Sequence, residues 1–315
     1  MSFMHRIIYL VLLLLAPWTH AAAPEPPPRE ARRLELPAGG AIDTRASIQF
    51  IGTATVLLRF GGITILTDPN FLHKGEKVHL GYGLTSTRLT NPAIDFEQLP
   101  PIDLVLLSHL HEDHFDRKVR QQLRRDVPIV TNLRAAAHLK DAGFINAIGL
   151  RTWQKIDIVK GATTIALTSL PARHGPAGVA ALLPDVMGSM LDLRDAGRNY
   201  RIYVSGDTMI SDDVTTIPQR YPGVDLAVLH LGGTRLLGLV TVTMDGAEGV
   251  RMLQLMAPQH AIPVHYDDYD VFKSPLADFK KAVDAAGLSG KVSYLARGDT
   301  YDLPIKTKEA NSEKP

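Results

Sequence analysis

Short runs of β-branched and aliphatic residues recur along the chain and predict β-strands. The first two runs cover residues 47–59 and 63–67 and flank Gly61-Gly62, a pattern typical of a β-hairpin. Residues 103–107 are almost wholly apolar, which indicates a strand buried on both faces. Further strand-like runs cover residues 128–131, 163–170, 200–205 and 226–229. The chain therefore holds enough predicted strands for two sheets.

Helical patterns alternate with these strands. They cover residues 116–125, 133–142, 246–256 and 275–286, and Asp116 is a candidate N-cap for the first of them. A chain of 315 residues could form two domains, but one α/β domain of this size is common. No period of about 20–50 residues indicates a solenoid. The order of elements predicts two packed sheets with helices on the outside.

The N-terminal residues differ from the rest of the chain. His5 and Arg6 precede an unbroken apolar run over residues 7–16, and three alanines follow at 21–23. This pattern predicts a signal peptide over residues 1–22 and a periplasmic or secreted protein; the alternative is an uncleaved N-terminal anchor. We expect a Pro-rich linker over residues 23–42, a folded domain over 43–306 and a disordered polar tail over 307–315.

Composition narrows the classes of partner and of chemistry. The formal net charge is +1 and no block of like charge is present, so the sequence argues against a nucleic-acid partner. The chain has no cysteine, which excludes disulfides, a thiolate nucleophile and a thiolate metal ligand. Any metal must therefore be bound by histidine and carboxylate side chains.

Residues 108–116, SHLHEDHFD, place three histidines and three acidic residues directly after the apolar strand at 103–107. In extended backbone His109 and His111 point the same way, so both imidazoles can reach one point. Asp113 and His114 follow as a second pair. Histidine and aspartate are typical ligands of zinc, manganese or iron. A catalytic zinc needs three protein ligands, so four candidates in one stretch indicate two metal ions with further ligands elsewhere.

The chain resembles the metallo-β-lactamase superfamily through five separated motifs in one order. The motifs are TDP at 67–69, HLHEDH at 109–114, RHG at 173–175, SGDT at 205–208 and PVHY at 263–266. The resemblance implies an αββα four-layer sandwich, with two mixed β-sheets flanked by helices, and a hydrolase domain over residues 43–306. Within the superfamily the sequence is similar to the branch of N-acyl-phosphatidylethanolamine phospholipase D and ascorbate-lactonase-like proteins.

The resemblance also implies roles for individual residues. By motif, one metal ion is held by His109, His111 and His174, and a second by Asp113, His114 and His265. Asp207 resembles the carboxylate that bridges the two ions. Asp68 looks like an acidic residue that hydrogen-bonds a ligand or orients the motif. His230 ends a strand-like run, and the sequence leaves open whether it lines the cleft or packs in the core.

The expected activity is that of an exported metal-dependent hydrolase. Two divalent ions, zinc first and manganese or iron as alternatives, would activate water to attack a phosphodiester, including a phospholipid, or a carboxylic ester or lactone. Asp113 and Asp68 are the predicted catalytic carboxylates. Two alternatives stay open: an iron-dependent oxidoreductase similar to persulfide dioxygenases, and a catalytically silent metal-dependent binding protein.

Two segments are candidates for contact with a small-molecule or lipid substrate. Residues 71–90 form a long, glycine-containing loop between two motifs, which favours a substrate-facing position. Residues 231–242 are aliphatic and contain Arg235, which fits either a wall for an anionic lipid or a buried pair of strands. The lipid-wall interpretation of residues 231–242 is the one indication of membrane association, and the sequence leaves the oligomeric state open.

Overall fold

Two large β-sheets form the centre of the molecule. The computed structural model describes residues 32–38, 45–81, 83–236 and 238–305. Within them, the first sheet has the strand order β19-β2-β3-β4-β7-β8-β9 and the second the order β1-β10-β11-β12-β13-β14-β17. The strands of the first sheet are β2 (Ser47–Gly52), β3 (Thr55–Phe60), β4 (Ile63–Thr67), β7 (Leu104–Leu106), β8 (Ile129–Asn132), β9 (Ala147–Leu150) and β19 (Thr300–Asp302). The strands of the second are β1 (Arg32–Glu35), β10 (Lys155–Lys160), β11 (Thr163–Leu170), β12 (Gly188–Asp195), β13 (Arg198–Val204), β14 (Leu226–His230) and β17 (His260–Val264).

Short strands and helices complete the described part of the chain. A hairpin and a small three-stranded sheet comprise β5 (Lys77–His79), β6 (Thr85–Thr87), β15 (Gly232–Leu236), β16 (Val240–Thr241) and β18 (Phe272–Ser274). The α-helices are α1 (Arg117–Gln122), α2 (Leu133–Asp141), α3 (Asp212–Thr215), α4 (Ile217–Arg220), α5 (Gly246–Met256) and α6 (Leu276–Ala285). Three single 3₁₀ turns lie at Phe96–Gln98, Ala180–Leu182 and Ser289–Lys291. None of the helices described here has both the length and the apolar character needed to cross a membrane.

The core has three apolar layers, which define a four-layer sandwich. Between the sheets, side chains such as Phe50 and Ile65 pack with Leu167 and Leu191. On the outer face of the first sheet, Leu57 and Val105 belong to the cluster that includes Val119 of α1 and Leu139 of α2. On the outer face of the second sheet, Tyr203 and Leu229 share a cluster with Leu253 of α5 and Phe279 of α6. Burial of apolar area on both faces of each sheet stabilises this arrangement. The predicted αββα sandwich is confirmed.

Local sequence explains where several elements begin. Asp116 is the N-cap of α1, as predicted, and its Oδ1 accepts a hydrogen bond of 2.8 Å from the backbone N–H of Val119. Asn132 and Asp245 cap α2 and α5 in the same way, through Ala135 N–H and Glu248 N–H. Each cap satisfies a backbone donor that has no partner inside its helix.

The structure corrects two predicted boundaries. Residues 47–59 form two strands, β2 and β3, because Gly52 and Thr53 have φ values of +146° and +52° and turn the chain. The linker predicted over residues 23–42 contains a β-strand, since Arg32–Glu35 pairs in parallel with β10. The predicted C-terminal end of the linker was therefore wrong. Alternation of Leu34 and Leu36 with charged residues allows that pairing, and Leu36 is buried. The signal peptide, the first residues of the linker and the tail at 307–315 lie outside the described residues.

Candidate metal centre

The side chains of all five motifs converge at one edge of the sandwich. Strands β4, β7 and β8 are mutually parallel in the first sheet, as are β13, β14 and β17 in the second. Their carboxyl ends therefore face one edge of each sheet, where α/β proteins place their sites. The motif residues follow directly: Asp68 after β4, the 109–114 segment after β7, His174 after β11, Asp207 after β13 and His265 after β17.

His109, His111 and His174 form the first of two neighbouring groups. Their ligand atoms lie within 4.8 Å of one another, and His109 Nε2 is 3.0 Å from His111 Nδ1. The Nδ1–H of His174 donates a hydrogen bond of 2.8 Å to the carbonyl oxygen of Val242, which leaves Nε2 free to bind a metal. The three residues predicted to share one ion are thus close enough to do so.

Asp113, His114 and His265 form the second group, also within 4.8 Å. His114 Nε2 lies 3.1 Å from His265 Nε2, and His265 Nε2 lies 3.4 Å from Asp113 Oδ2. The Nδ1–H of His265 donates to the carbonyl oxygen of Leu231 at 3.1 Å, so its Nε2 also faces the group.

Asp207 lies between the two groups. Its Oδ2 is 3.9 Å from His109 Nε2, 3.3 Å from His114 Nε2 and 3.6 Å from His265 Nε2. The carboxylate therefore reaches the first group through His109 and the second through His114 and His265. It does not cap a helix, since α3 begins five residues later with Ser211 as its N-cap.

The geometry and the unpaired atoms fit bound cations. Two nitrogens that bind one tetrahedral zinc at about 2.0–2.1 Å lie about 3.3 Å apart, close to the 3.0 and 3.1 Å separations found here. Asp113 Oδ1 and Asp207 Oδ1 are buried and have no hydrogen-bond partner among the described residues. A buried carboxylate oxygen without a partner is costly unless a proton or a cation satisfies it.

Asp68 lies behind the second group. Its Oδ1 accepts a hydrogen bond of 2.7 Å from the backbone N–H of Ser108, and its Oδ2 is 3.5 Å from His114 Nδ1. A carboxylate at Nδ1 favours the tautomer in which His114 Nε2 is the free ligand atom. Asp68 is thus close enough to His114 to orient its ring, and this role stays a prediction.

His230 is the residue that the sequence left open, and it lies behind the centre, beside Asp68. Its ring is fully buried, and Nε2–H donates to Asp68 Oδ2 at 3.2 Å. Its Nδ1 lies 3.2 Å from the hydroxyl of Ser205, in the SGDT motif. The position of His230 at a strand end was the one available signal; its spacing matches no ligand pattern.

Electrostatics divide the histidines into two sets. Burial lowers the pKa values of His109 and His174, and it lowers the pKa of His111 to about 4. These three rings are therefore neutral near pH 7. Burial also opposes protonation of His114 and His265, but the Asp207 and Asp113 carboxylates outweigh it and raise both pKa values. These two rings therefore hold a proton more strongly than an ordinary histidine does.

The pKa values of the three carboxylates are lowered, whereas those of His114 and His265 are raised. Burial alone would raise the pKa of each carboxylate, but the histidines outweigh it. The pKa of Asp207 is held well below its usual range by His265 and His114, and that of Asp113 is lowered by His114 and His265. The His114 and His230 imidazoles lower the pKa of Asp68 to about 2. All three carboxylates are thus ionised and available to bind or orient cations.

Backbone conformation is unusual at two site residues. His265 has φ +61° and Asp68 has φ +35°, in the left-handed region that non-glycine residues seldom adopt. The His265 N–H donates a hydrogen bond of 2.6 Å to Thr53 O, which holds this turn. Gly206 passes close to the 108–116 segment, since a Cβ there would lie 3.2 Å from Ser108 Cβ. Such strain is common at functional sites.

A family model described as "Beta-lactamase superfamily domain" matches residues 64–266, well over half of the chain. The match contains all five motifs. The chain belongs to the β-lactamase superfamily. This membership accounts for the αββα sandwich and for the histidine and aspartate centre at its edge.

Individual relatives are similar at lower identity. A UPF0173 metal-dependent hydrolase from Nanoarchaeum equitans is 26% identical over 211 residues, which cover 66% of this chain and 88% of the relative. A possible metal-dependent hydrolase from Veillonella parvula has a structure with TM-score 0.72 and 20% identity, covering 82% of this chain and 100% of the other. An isothiocyanate hydrolase from Delia radicum gut bacteria gives TM-score 0.70 and 22% identity, covering 81% and 98%. The two structures show the shared fold. The narrower resemblance to the phospholipase D branch stays a prediction.

The two predicted substrate-facing segments differ in structure. Within residues 71–90, β5 and β6 form a hairpin, and His79–Gly81 line a cavity beside His111. Residues 232–236 and 240–241 form the antiparallel strands β15 and β16, and Leu239 between them is 84% exposed. The second segment is thus a pair of strands, and its last residue, Val242, accepts a hydrogen bond from His174.

Proposed function

We propose that this chain is an exported metal-dependent hydrolase that cleaves a phosphodiester or a carboxylic ester or lactone at a centre of two divalent ions, zinc first. The observation that carries the proposal is the position of Asp207, whose Oδ2 lies within 4 Å of His109 Nε2, His114 Nε2 and His265 Nε2. A carboxylate shared by two groups of ligands offsets the repulsion between two cations.

The roles of the protein side chains follow from their contacts. When bound by the two ligand groups, divalent ions would lower the pKa of a water molecule and polarise the attacked bond. Asp113 has one oxygen near His265 and a second, buried oxygen that has no hydrogen-bond partner in the described part of the chain and can orient the attacking water or accept its proton. Asp68 holds the ring of His114. No serine or cysteine nucleophile is required, so no covalent intermediate is expected.

The relatives support hydrolysis as the reaction class. The relative from Nanoarchaeum equitans is named a metal-dependent hydrolase, and it aligns with two thirds of this chain. The isothiocyanate hydrolase shares the fold and is itself named a hydrolase. Fold similarity alone does not carry an activity across, so the reaction class depends on the site.

Substitution of Asp207, the proposed bridging ligand, or of His109, a proposed ligand of one ion, tests the proposal. We expect Asp207→Ala and His109→Ala each to lose bound metal and to lower kcat/KM by at least about 100-fold, with an unchanged circular dichroism spectrum. Metal content by plasma emission spectrometry and hydrolysis of bis-p-nitrophenyl phosphate and p-nitrophenyl acetate are the measurements. Asp213→Ala and His260→Ala, away from the centre, are matched controls. Full activity in either site variant would refute the assignment.

One series of assays identifies both the bound metal and the substrate class. Purified protein is analysed for metal and then assayed on phosphodiesters, carboxylic esters, lactones and phospholipid vesicles. Zinc or manganese with hydrolysis supports the proposal, whereas iron with oxygen consumption would favour the oxidoreductase. Bound metal without turnover on any of these would favour a silent binding protein. Export depends on residues 1–22, and N-terminal sequencing of the mature protein tests it.

A further inference from the structure

A cavity of about 470 Å³ opens beside the metal centre, on the side of His111. Its volume lies in the range of about 300–1,000 Å³ that small-molecule sites have. His111 is one of its lining residues, so a molecule in the cavity reaches one end of the ligand set. The cavity is therefore placed to hold the part of a substrate that does not react.

Most of the wall is apolar. Leu110 lies between two metal-ligand histidines and lines the cavity together with Leu80, Leu139 and Leu183. These leucines come from the 109–114 segment, the β5–β6 hairpin, α2 and the loop after His174. An aliphatic chain that enters the cavity would remove these surfaces from water, which favours binding.

The polar part of the wall is cationic. Arg120 and Arg134 line the cavity, and the one carboxylate in its lining belongs to Asp185. Neither guanidinium forms an ion pair with a carboxylate among the described residues. Arg134 is exposed in the first turn of α2, and His138 lies one turn further along the same helix. The Nδ1–H of His138 donates to Arg134 O at 2.9 Å, which leaves its Nε2 available. An anionic group would complement this wall.

The wall is held against the metal-ligand segment. The Asn132 side-chain amide donates a hydrogen bond of 2.6 Å to Asp185 O and one of 3.4 Å to Ser108 O. The Met187 N–H donates to the same Ser108 carbonyl at 3.0 Å. The N-terminus of α2 and the backbone at Asp185 and Met187 are thus linked by hydrogen bonds to Ser108, directly before the metal-ligand segment.

We propose that this cavity binds the acyl side of the substrate, and that the substrate is an aliphatic ester whose chain carries a carboxylate or phosphate held by Arg134. The scissile bond then lies at the His111 end and the anion at the α2 wall. This inference rests on the proposed hydrolase activity and names its substrate class.

Two esters with the same leaving group test the charge preference. Mono-p-nitrophenyl adipate carries a carboxylate at the end of its chain, and p-nitrophenyl hexanoate is its neutral counterpart. We expect the wild-type protein to have the higher kcat/KM for the adipate ester. Arg134→Ala should lower the ratio of the two kcat/KM values about tenfold or more, mainly through KM for the anionic ester. Arg134→Glu should lower it further.

Lys140→Ala is the matched control. Lys140 is an exposed cation on α2 that does not line the cavity. Its removal takes the same charge from the same helix, so a general electrostatic effect would change the ratio in both variants. We expect the ratio for Lys140→Ala to stay at the wild-type value in about 0.15 M salt.

A binding measurement separates the inference from the proposed activity. Octanoate and octanamide are titrated by calorimetry into purified wild-type, Arg134→Ala and Lys140→Ala protein. Binding of octanoate that Arg134→Ala weakens supports the cavity even if no ester is cleaved, in which case the proposed activity fails alone. Ester hydrolysis without a charge preference, or a preference that Arg134→Ala leaves unchanged, would overturn the inference and keep the activity.

Discussion

At the scale of single residues, the pair Asp68 and His230 explains how the second ligand group is oriented. Asp68 accepts hydrogen bonds from Ser108 N–H and His230 Nε2–H, at 2.7 and 3.2 Å, and faces His114 Nδ1. Two hydrogen bonds thus hold the Asp68 carboxylate, and neither donor residue belongs to the two predicted ligand groups. His230 is therefore placed to act on His114 through Asp68, as a positioning residue would.

We expect His230→Ala to weaken metal binding by about 10- to 100-fold, because Asp68 loses a donor and His114 loses its fixed orientation. His230→Gln retains an N–H donor and should recover much of the affinity. The measurement is metal affinity by competition with a chromophoric chelator, together with the unfolding free energy. His260→Ala, at a partly buried histidine paired with Ser293, is the control. Equal affinity in the alanine and glutamine variants would contradict a role through Asp68.

At the scale of elements, the side chains of the centre lie at the carboxyl ends of strands. Close contacts between backbone segments hold these strand ends in position. Gly232 begins β15 with φ +94°, and a Cβ there would lie 2.6 Å from His265 O. The preceding residue, Leu231, accepts the hydrogen bond from His265 Nδ1. The start of β15 and the end of β17 are therefore held together, and this contact sets the position of His265.

Gly232→Ala should lower the free energy of unfolding by about 1–3 kcal/mol, since the residue is strained at this φ and its Cβ meets a backbone carbonyl. Metal affinity should fall as well, because His265 moves with its carbonyl. Urea denaturation and chelator competition are the measurements. Gly178→Ala is the control, as its added Cβ would meet no atom within 4 Å. A variant with wild-type stability and metal content would show that the contact is not needed.

The hydrophobic pattern predicted helices and strands well where a single period continued along the whole element. The helix predicted at 246–256 agrees with α5, and that at 133–142 agrees with α2 to within one residue. The division of residues 47–59 was missed because both halves are apolar and the turn depends on φ values at Gly52 and Thr53. Strand β1 was missed because a short Arg-Arg-Leu-Glu segment is stable only when β10 is beside it.

At the scale of the whole molecule, the two sheets bring groups of unlike charge into one buried volume. The first group has neutral histidines, and the second has histidines whose pKa values are raised by Asp207 and Asp113. Metal must compete with protons at His114 and His265, whose pKa values are raised, whereas the lowered pKa values of His109, His111 and His174 reduce that competition in the first group. The two groups should therefore differ in the pH dependence of metal binding.

We expect acidification from about pH 8 to pH 5 to release metal from the second group before the first. The sign follows from the pKa values: a raised pKa keeps the competing proton at higher pH, and the pKa of His111, about 4, lets the first group bind metal in mild acid. Metal content after dialysis at fixed free metal should fall in two steps. In His265→Ala the step at higher pH should disappear. A single step in the wild-type protein would contradict two distinguishable groups.

The sequence by itself determined the chemistry and the local order of this protein. It placed Asp68, Asp207 and His265 each directly after a strand, and the HLHEDH motif after an apolar run, because ligand type and hydrophobic period are local properties. The tertiary structure decided which atoms meet. The pairing of Asp68 with His230, and the cavity built from leucines and arginines of separate segments, depend on strand order and on how the sheets pack. Distances between segments far apart in the chain are set by that packing, and no local pattern encodes them.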